Sequence, residues 1–176
     1  MRIIITLFLL SLLKGCTSIP LSSLIKLSTF GAEEFSQINP KQVRARLTIN
    51  DPAKLQLHDV RLVFKFDYQF DENQAYQFIL TPITQRSIAA QSNWYGSTPK
   101  RHQYDFKIAE KSVIEFSAYE QQLLHRGKPK NFRWTVFYYL EKDLPSGYVI
   151  DLDLAIKFSD DSDYLMILNG ASVDVE

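Results

Sequence analysis

Between Asp59 and Phe70 the chain reads DVRLVFKFDYQF, with Val60, Leu62, Phe64, Phe66, Tyr68 and Phe70 at alternate places and Arg61, Lys65, Asp67 and Gln69 between them. Successive side chains of a strand point to opposite faces, so such a run buries one face and wets the other. Wound as a helix, the same residues would scatter around the axis and leave no apolar stripe. Val63 alone departs from the alternation. The pattern recurs. QVRARLTI sets Val43, Ala45, Leu47 and Ile49 against Arg44, Arg46 and Thr48. HQYDFKIA sets His102, Tyr104, Phe106 and Ile108 against Gln103, Asp105 and Lys107. FRWTVFYYL and YVIDLDLAIKF behave alike, the second with Asp151, Asp153 and Lys157 on its polar side.

The DENQ that follows Phe70 is a turn signal, and it predicts that AYQFILT returns antiparallel until Pro82 stops it. EKDLPSG carries the Pro and Gly of a loop, and DYLMILNG with ASVDVE supplies one or two short terminal strands. One segment has a different period. In AEKSVIEFSAYEQQLLHRG, Val113, Phe116, Tyr119 and Leu123 recur at spacings of three and four, with Ser112 near the start and Gly127 at the stop. That spacing predicts an amphipathic helix over 110–126. The expected fold is all-β: an antiparallel β-sandwich of seven to eight strands with one amphipathic helix. A closed barrel is the second reading, since closure also removes exposed edges.

Ahead of the strands, Arg2 is followed by Ile3 to Leu13, a run that is apolar except for Thr6 and Ser11. A helix needs ~20 apolar residues to cross a hydrocarbon core of ~30 Å, so this run is too short to span and has the length of a signal-peptide core. It ends in Leu13-Lys14-Gly15-Cys16, and Cys16 is the only cysteine in the chain. An exported body without a disulfide rests on its apolar core alone. Residues 17 to about 40 mix Ser and Pro with scattered apolar residues and read as a tether. The expected organisation is a signal over 1–15, a tether over 16–40 and the β domain over 41–176.

The Leu13, Gly15 and Cys16 places resemble the cleavage motif of bacterial lipoprotein precursors, although Lys14 stands where that family usually has an uncharged residue. The resemblance implies a diacylglyceryl thioether on Cys16, cleavage between Gly15 and Cys16, and acylation of the new amino group. One acyl chain holds a protein to a membrane only marginally, and three exceed the threshold for stable anchoring. Thr17, rather than an aspartate, follows the cysteine. In that family this implies the outer membrane, facing the periplasm, rather than the inner one. The stretch CTSIPLSSLIKLSTFGAEEFSQINPKQVRARL is similar to the opening of small uncharacterised envelope lipoproteins of Gram-negative bacteria. That likeness implies an envelope location and an all-β body, and no activity.

Removal of Arg2 and Lys14 with the signal reduces the twenty Lys and Arg to eighteen, against twenty Asp and Glu. A near-neutral balance with interspersed charges argues against nucleic acid, which calls for a basic patch, and against electrostatic docking on anionic lipid. The histidines, His58, His102 and His125, have no second His or Cys at metal-ligand spacing, so no metal is expected. His102 reads as a satisfied polar group at a strand's start. No Gly-x-Ser-x-Gly occurs, and the six glycines do not cluster into a phosphate loop. No catalytic residue and no cofactor follow from the sequence. Asp160, Asp161 and Asp163 in SDDSDY lack the Gly and Glu of a calcium loop and read as a solvated turn. Asp151 and Asp153, some 7 Å apart on one strand face, read as outward polar residues.

SNWYGSTPKRH is the one suggestive loop: Trp94, Tyr95, Lys100 and Arg101 together form a candidate partner-binding loop. The competing reading has Trp94 folded back as a cap on the core. The function expected from these features is that of a non-enzymatic envelope lipoprotein presenting its β-sandwich to a periplasmic protein partner. The alternative is a carrier or sensor of an apolar ligand such as lipid, and a cell-wall hydrolase has the least support.

Overall fold

Ala45 pairs with Phe106 on one side and Ile156 on the other, and the next inward places repeat the arrangement as Tyr104–Leu47–Leu154 and His102–Ile49–Leu152. These rows set the small Ala45 between two large neighbours, which lets the side chains of adjacent strands interdigitate. They come from a computed structural model that describes residues 20, 37–68, 71–94, 96–126 and 131–174. Among the described residues the elements are β1 (Arg44–Asn50), β2 (Val60–Tyr68), β3 (Asp71–Ile88), β4 (Gln91–Asn93), β5 (Gly96–Thr98), β6 (Arg101–Ile108), α1 (Glu110–Arg126), β7 (Asn131–Phe137), β8 (Val149–Lys157) and β9 (Leu165–Asp174). Seven strands make one antiparallel sheet in the order β7-β2-β3-β6-β1-β8-β9, and β4 with β5 forms a separate hairpin.

The fold is all-β and antiparallel with one helix, as the alternation predicts, and the seven-stranded sheet is curled into a sandwich-like body. Both layers belong to that one sheet, because β3 is shared. Its first half pairs with β2 from Asp71 to Leu80, and its second with β6 from Leu80 to Ile88. Leu80 faces Val60 on one side and Ile108 on the other, so the core runs unbroken through the handover. Among the described residues the sheet is not closed, since β7 and β9 lie at opposite ends of the strand order.

Two local expectations are corrected by β3. Pro82 does not stop the strand: the register shifts between Pro82 and Thr84, and a bulge of this kind is where a residue with no N–H can sit inside a sheet. The DENQ turn is strand as well, with Asp71 opposite Tyr68 and Gln74 opposite Phe66. Between β7 and β8, Leu140 bridges to Leu55, while Gln56 N–H donates to the Tyr139 carbonyl and Glu141 N–H to that of Lys54, each at 2.8 Å. Of the one or two terminal strands expected at the C-terminal end there is one, β9.

The core collects the inward residues of β1, β2, β3, β6 and β8, with Leu47, Ile49, Leu55, Leu62, Phe78 and Phe106 all at 0% exposure. Ile38, which falls in the segment expected to tether, is also buried there. The Tyr104 hydroxyl accepts from the Leu55 N–H at 3.3 Å, so the turn after β1 is tied beneath the sheet, and burial pushes the phenol's pKa up. Helix α1 covers the inner side near β3. Phe116 meets Phe78 at 5.2 Å between ring centroids and Tyr119 meets Tyr76 at 4.0 Å, both tilted, an arrangement aromatic pairs favour. The helix start is stitched to the sheet: Ala109 N–H donates to the Ile79 carbonyl at 2.9 Å, and the Ile79 N–H donates to the buried Ser112 Oγ at 3.0 Å.

Candidate functional site

The four residues of the candidate loop take separate places. Trp94 stands at the tip of the β4–β5 hairpin, which is held by the pairs Gln91–Thr98, Ser92–Ser97 and Asn93–Gly96. Its side chain is 94% exposed, so it does not cap the core. Tyr95, like Gly15 and Cys16, lies outside the described residues. Lys100 and Arg101 follow the hairpin and are engaged at its base. Lys100 Nζ sits 3.1 Å from Asp51 Oδ1, and its carbonyl accepts from the Asp51 N–H at 2.8 Å. Arg101 Nη1 reaches across β1 to Asp153 Oδ2 at 2.6 Å. The cations therefore fix the base, and the tip carries the exposed aromatic. The sequence holds a further signal for this division, because the thirteen residues between Arg86 and Lys100 include no charge.

His102 begins the inward side of β6 and is 5% exposed. Its Nε2–H donates to Asp51 Oδ1 at 2.7 Å. That bond first, and Lys100 second, hold the Asp51 carboxyl below its ordinary pKa. The Tyr148 hydroxyl donates to the Asp51 carbonyl at 2.9 Å, which pins the same turn from β8's side. A surface cleft of about 290 Å³ opens beside it, lined by Asp51, Pro52, Lys54, Glu141, Lys142 and Leu144.

The outward polar residues of the sheet form a network that outward alternation alone does not announce. Both Asp105 oxygens accept from Arg46, at 2.6 and 3.1 Å, and the Thr84 hydroxyl adds a third bond at 3.2 Å. The Arg46 guanidinium also lies 3.9 Å from the centroid of the Tyr164 ring. Arg86 donates to Gln103 Oε1 at 3.0 Å. Asp153 takes Arg101 on one oxygen and, on the other, the Gly170 N–H at 2.7 Å. Gly170 has φ +64°, a left-handed conformation that costs glycine little and turns its N–H toward the carboxylate. Asp151 accepts from Ser172 Oγ at 2.9 Å, so the two carboxylates of β8 have separate partners rather than a shared proton. In SDDSDY, the Ser159 carbonyl accepts from the Ser162 N–H at 3.2 Å, and Asp160 pairs with Arg44 at 3.3 Å. The segment is a turn pinned to β1.

No family model, no curated protein and no solved structure matches this chain.

Proposed function

We propose that the chain is a lipid-anchored envelope protein, facing the periplasm, whose β domain acts by binding a protein partner through the β4–β5 hairpin rather than by catalysis. The observation that carries the partner surface is the 94% exposure of Trp94 on a hairpin braced at its base by the Lys100–Asp51 and Arg101–Asp153 pairs. An exposed indole on a braced turn offers a large apolar contact at small entropic cost, and such residues dominate binding energy at interfaces. The anchor rests on the Leu13-Lys14-Gly15-Cys16 motif behind a short apolar run. The alternative, an apolar-ligand carrier, needs space within the curl. Among the described residues, the clefts beside Asp51 and Thr48 open on charged residues at the surface, and the buried apolar side chains pack into one cluster.

Site-specific photocrosslinking in living cells tests the reading. A photoreactive residue at position 94 is expected to give a discrete adduct, and one at position 114, where Ile114 is 74% exposed on the helix, is expected to give none. Identical adducts from both positions, or none from position 94, would overturn it.

A further inference from the structure

On the outer face of the sheet, beside the base of the hairpin, lies a depression of about 250 Å³. Strand pairing builds its floor. Thr48 stands between Gln103 and Asp153, and Ala155 stands beside Arg46. These shorter side chains sink among longer ones, so Thr48, Gln103 and Ala155 are 7%, 6% and 2% exposed although they face away from the core. Arg46, Arg101 and Asp153 form polar walls, and Ile88 and Met166 form apolar ones. The polar walls are set in place by the Arg46–Asp105 and Arg101–Asp153 pairs and by the Gly170 N–H on Asp153.

The chemistry of the walls narrows the ligand. Each lining arginine is matched by an aspartate, so an anion meets Asp153 with little net attraction, and a cation meets the guanidinium groups. Two donors remain. Arg101 Nε and Gln103 Nε2 are buried and have no acceptor among the described residues. The Gln103 oxygen cannot exchange places with its nitrogen, because it already accepts from Arg86. A buried donor left unmet costs about 1–3 kcal/mol. A hydroxyl both accepts from such donors and donates to a carboxylate. Ile88, Ala155 and Met166 add a surface for C–H groups. The volume corresponds to about eight waters at ~30 Å³ each, which suits one small ring.

We propose that this depression binds a single sugar ring, whose hydroxyl oxygens accept from Gln103 and Arg101 while another hydroxyl donates to Asp153. Both N–H groups are enclosed in the free chain, so binding requires the Gln103 and Arg101 side chains to turn toward the ring against their bonds to Arg86 and Asp153. The site does not depend on the anchor, and it shares the Arg101–Asp153 pair with the base of the hairpin.

The test is a titration of the ¹⁵N-labelled full chain, in a detergent without a sugar headgroup, followed through the Gln103 side-chain amide and Arg101 Nε–H resonances. Glucose and N-acetylglucosamine are the probes, and acetate is the carboxylate comparison. At least one sugar is expected to move both resonances saturably with a Kd on the order of 1 mM, and acetate is expected to move neither. Gln103→Met and Thr48→Val keep side-chain size and are expected to weaken that affinity about five- to tenfold, with the dispersion of the spectrum retained. Absence of a saturable shift with either sugar, a response to acetate alone, or unchanged affinity in a variant that keeps its dispersed spectrum would overturn the proposal.

Discussion

His102 Nε2–H donates to Asp51 Oδ1 across 2.7 Å, and the bond fastens the turn after β1 to the first residues of β6. Lys100 shares the same oxygen, and together they hold the carboxyl below its ordinary value of 3.8. The folded chain thus binds this proton less tightly than the unfolded chain does. Its contribution to stability is complete above the ordinary carboxylate range and drains as pH falls through the lowered value. Urea midpoints measured from about pH 2 to pH 5 are expected to depend less on pH in Asp51→Asn than in the wild type. Equal dependence would show that the pair is not linked to folding.

The contact between Phe116 and Phe78 makes a second prediction. Phe116→Ala removes a ring that is 1% exposed and is expected to cost about 3–5 kcal/mol in urea unfolding. Ile114→Ala, on the solvent side of the same helix, is expected to stay within about 0.5 kcal/mol of wild type. Similar costs at both positions would mean that the helix does not pack by this face.

Trp94 and Arg101 are expected to separate binding from folding. Trp94→Ala is expected to unfold within about 0.5 kcal/mol of wild type while losing the crosslinked partner. Arg101→Ala leaves Asp153, whose side chain is 16% exposed, without its cation, and is expected to lose about 1–3 kcal/mol. If Trp94→Ala is instead the destabilising change, the indole serves the fold.

For the proposed anchor, Cys16→Ser is expected to abolish incorporation of labelled palmitate and to release the protein from membranes. Lys14→Ala, which restores an uncharged residue before Gly15, is expected to speed conversion of the precursor in a pulse-chase experiment. A serine variant that stays membrane-bound would refute lipidation.

Period-two runs placed β1, β2, β6 and β8 and, in β1, β6 and β8, the face each buries, and the three-and-four spacing placed the helix, because these signals come from neighbouring residues. Pro82 and DENQ misled because a bulge frees Pro82 from donating and because Asp71 to Gln74 take their pairing from β2. Neither fact is local. The same holds for the candidate loop. Lys100 and Arg101 adjoin in sequence, but strand alternation sends Arg101 to Asp153, 52 residues away, and Lys100 to the turn at Asp51. The floor of the outer depression was invisible for a related reason. Thr48, Gln103 and Ala155 look like solvent-facing positions until the strands on either side supply the tall neighbours that shade them.

The 18-residue β3 has one consequence for how this body can be divided. Cutting it near Leu80 leaves each half of β3 with its own neighbour but parts β2 from β7 and β1 from β6 and β8, so neither fragment keeps a complete set of partners. A gene split there yields two pieces that must reassociate through those shared edges to rebuild the sheet.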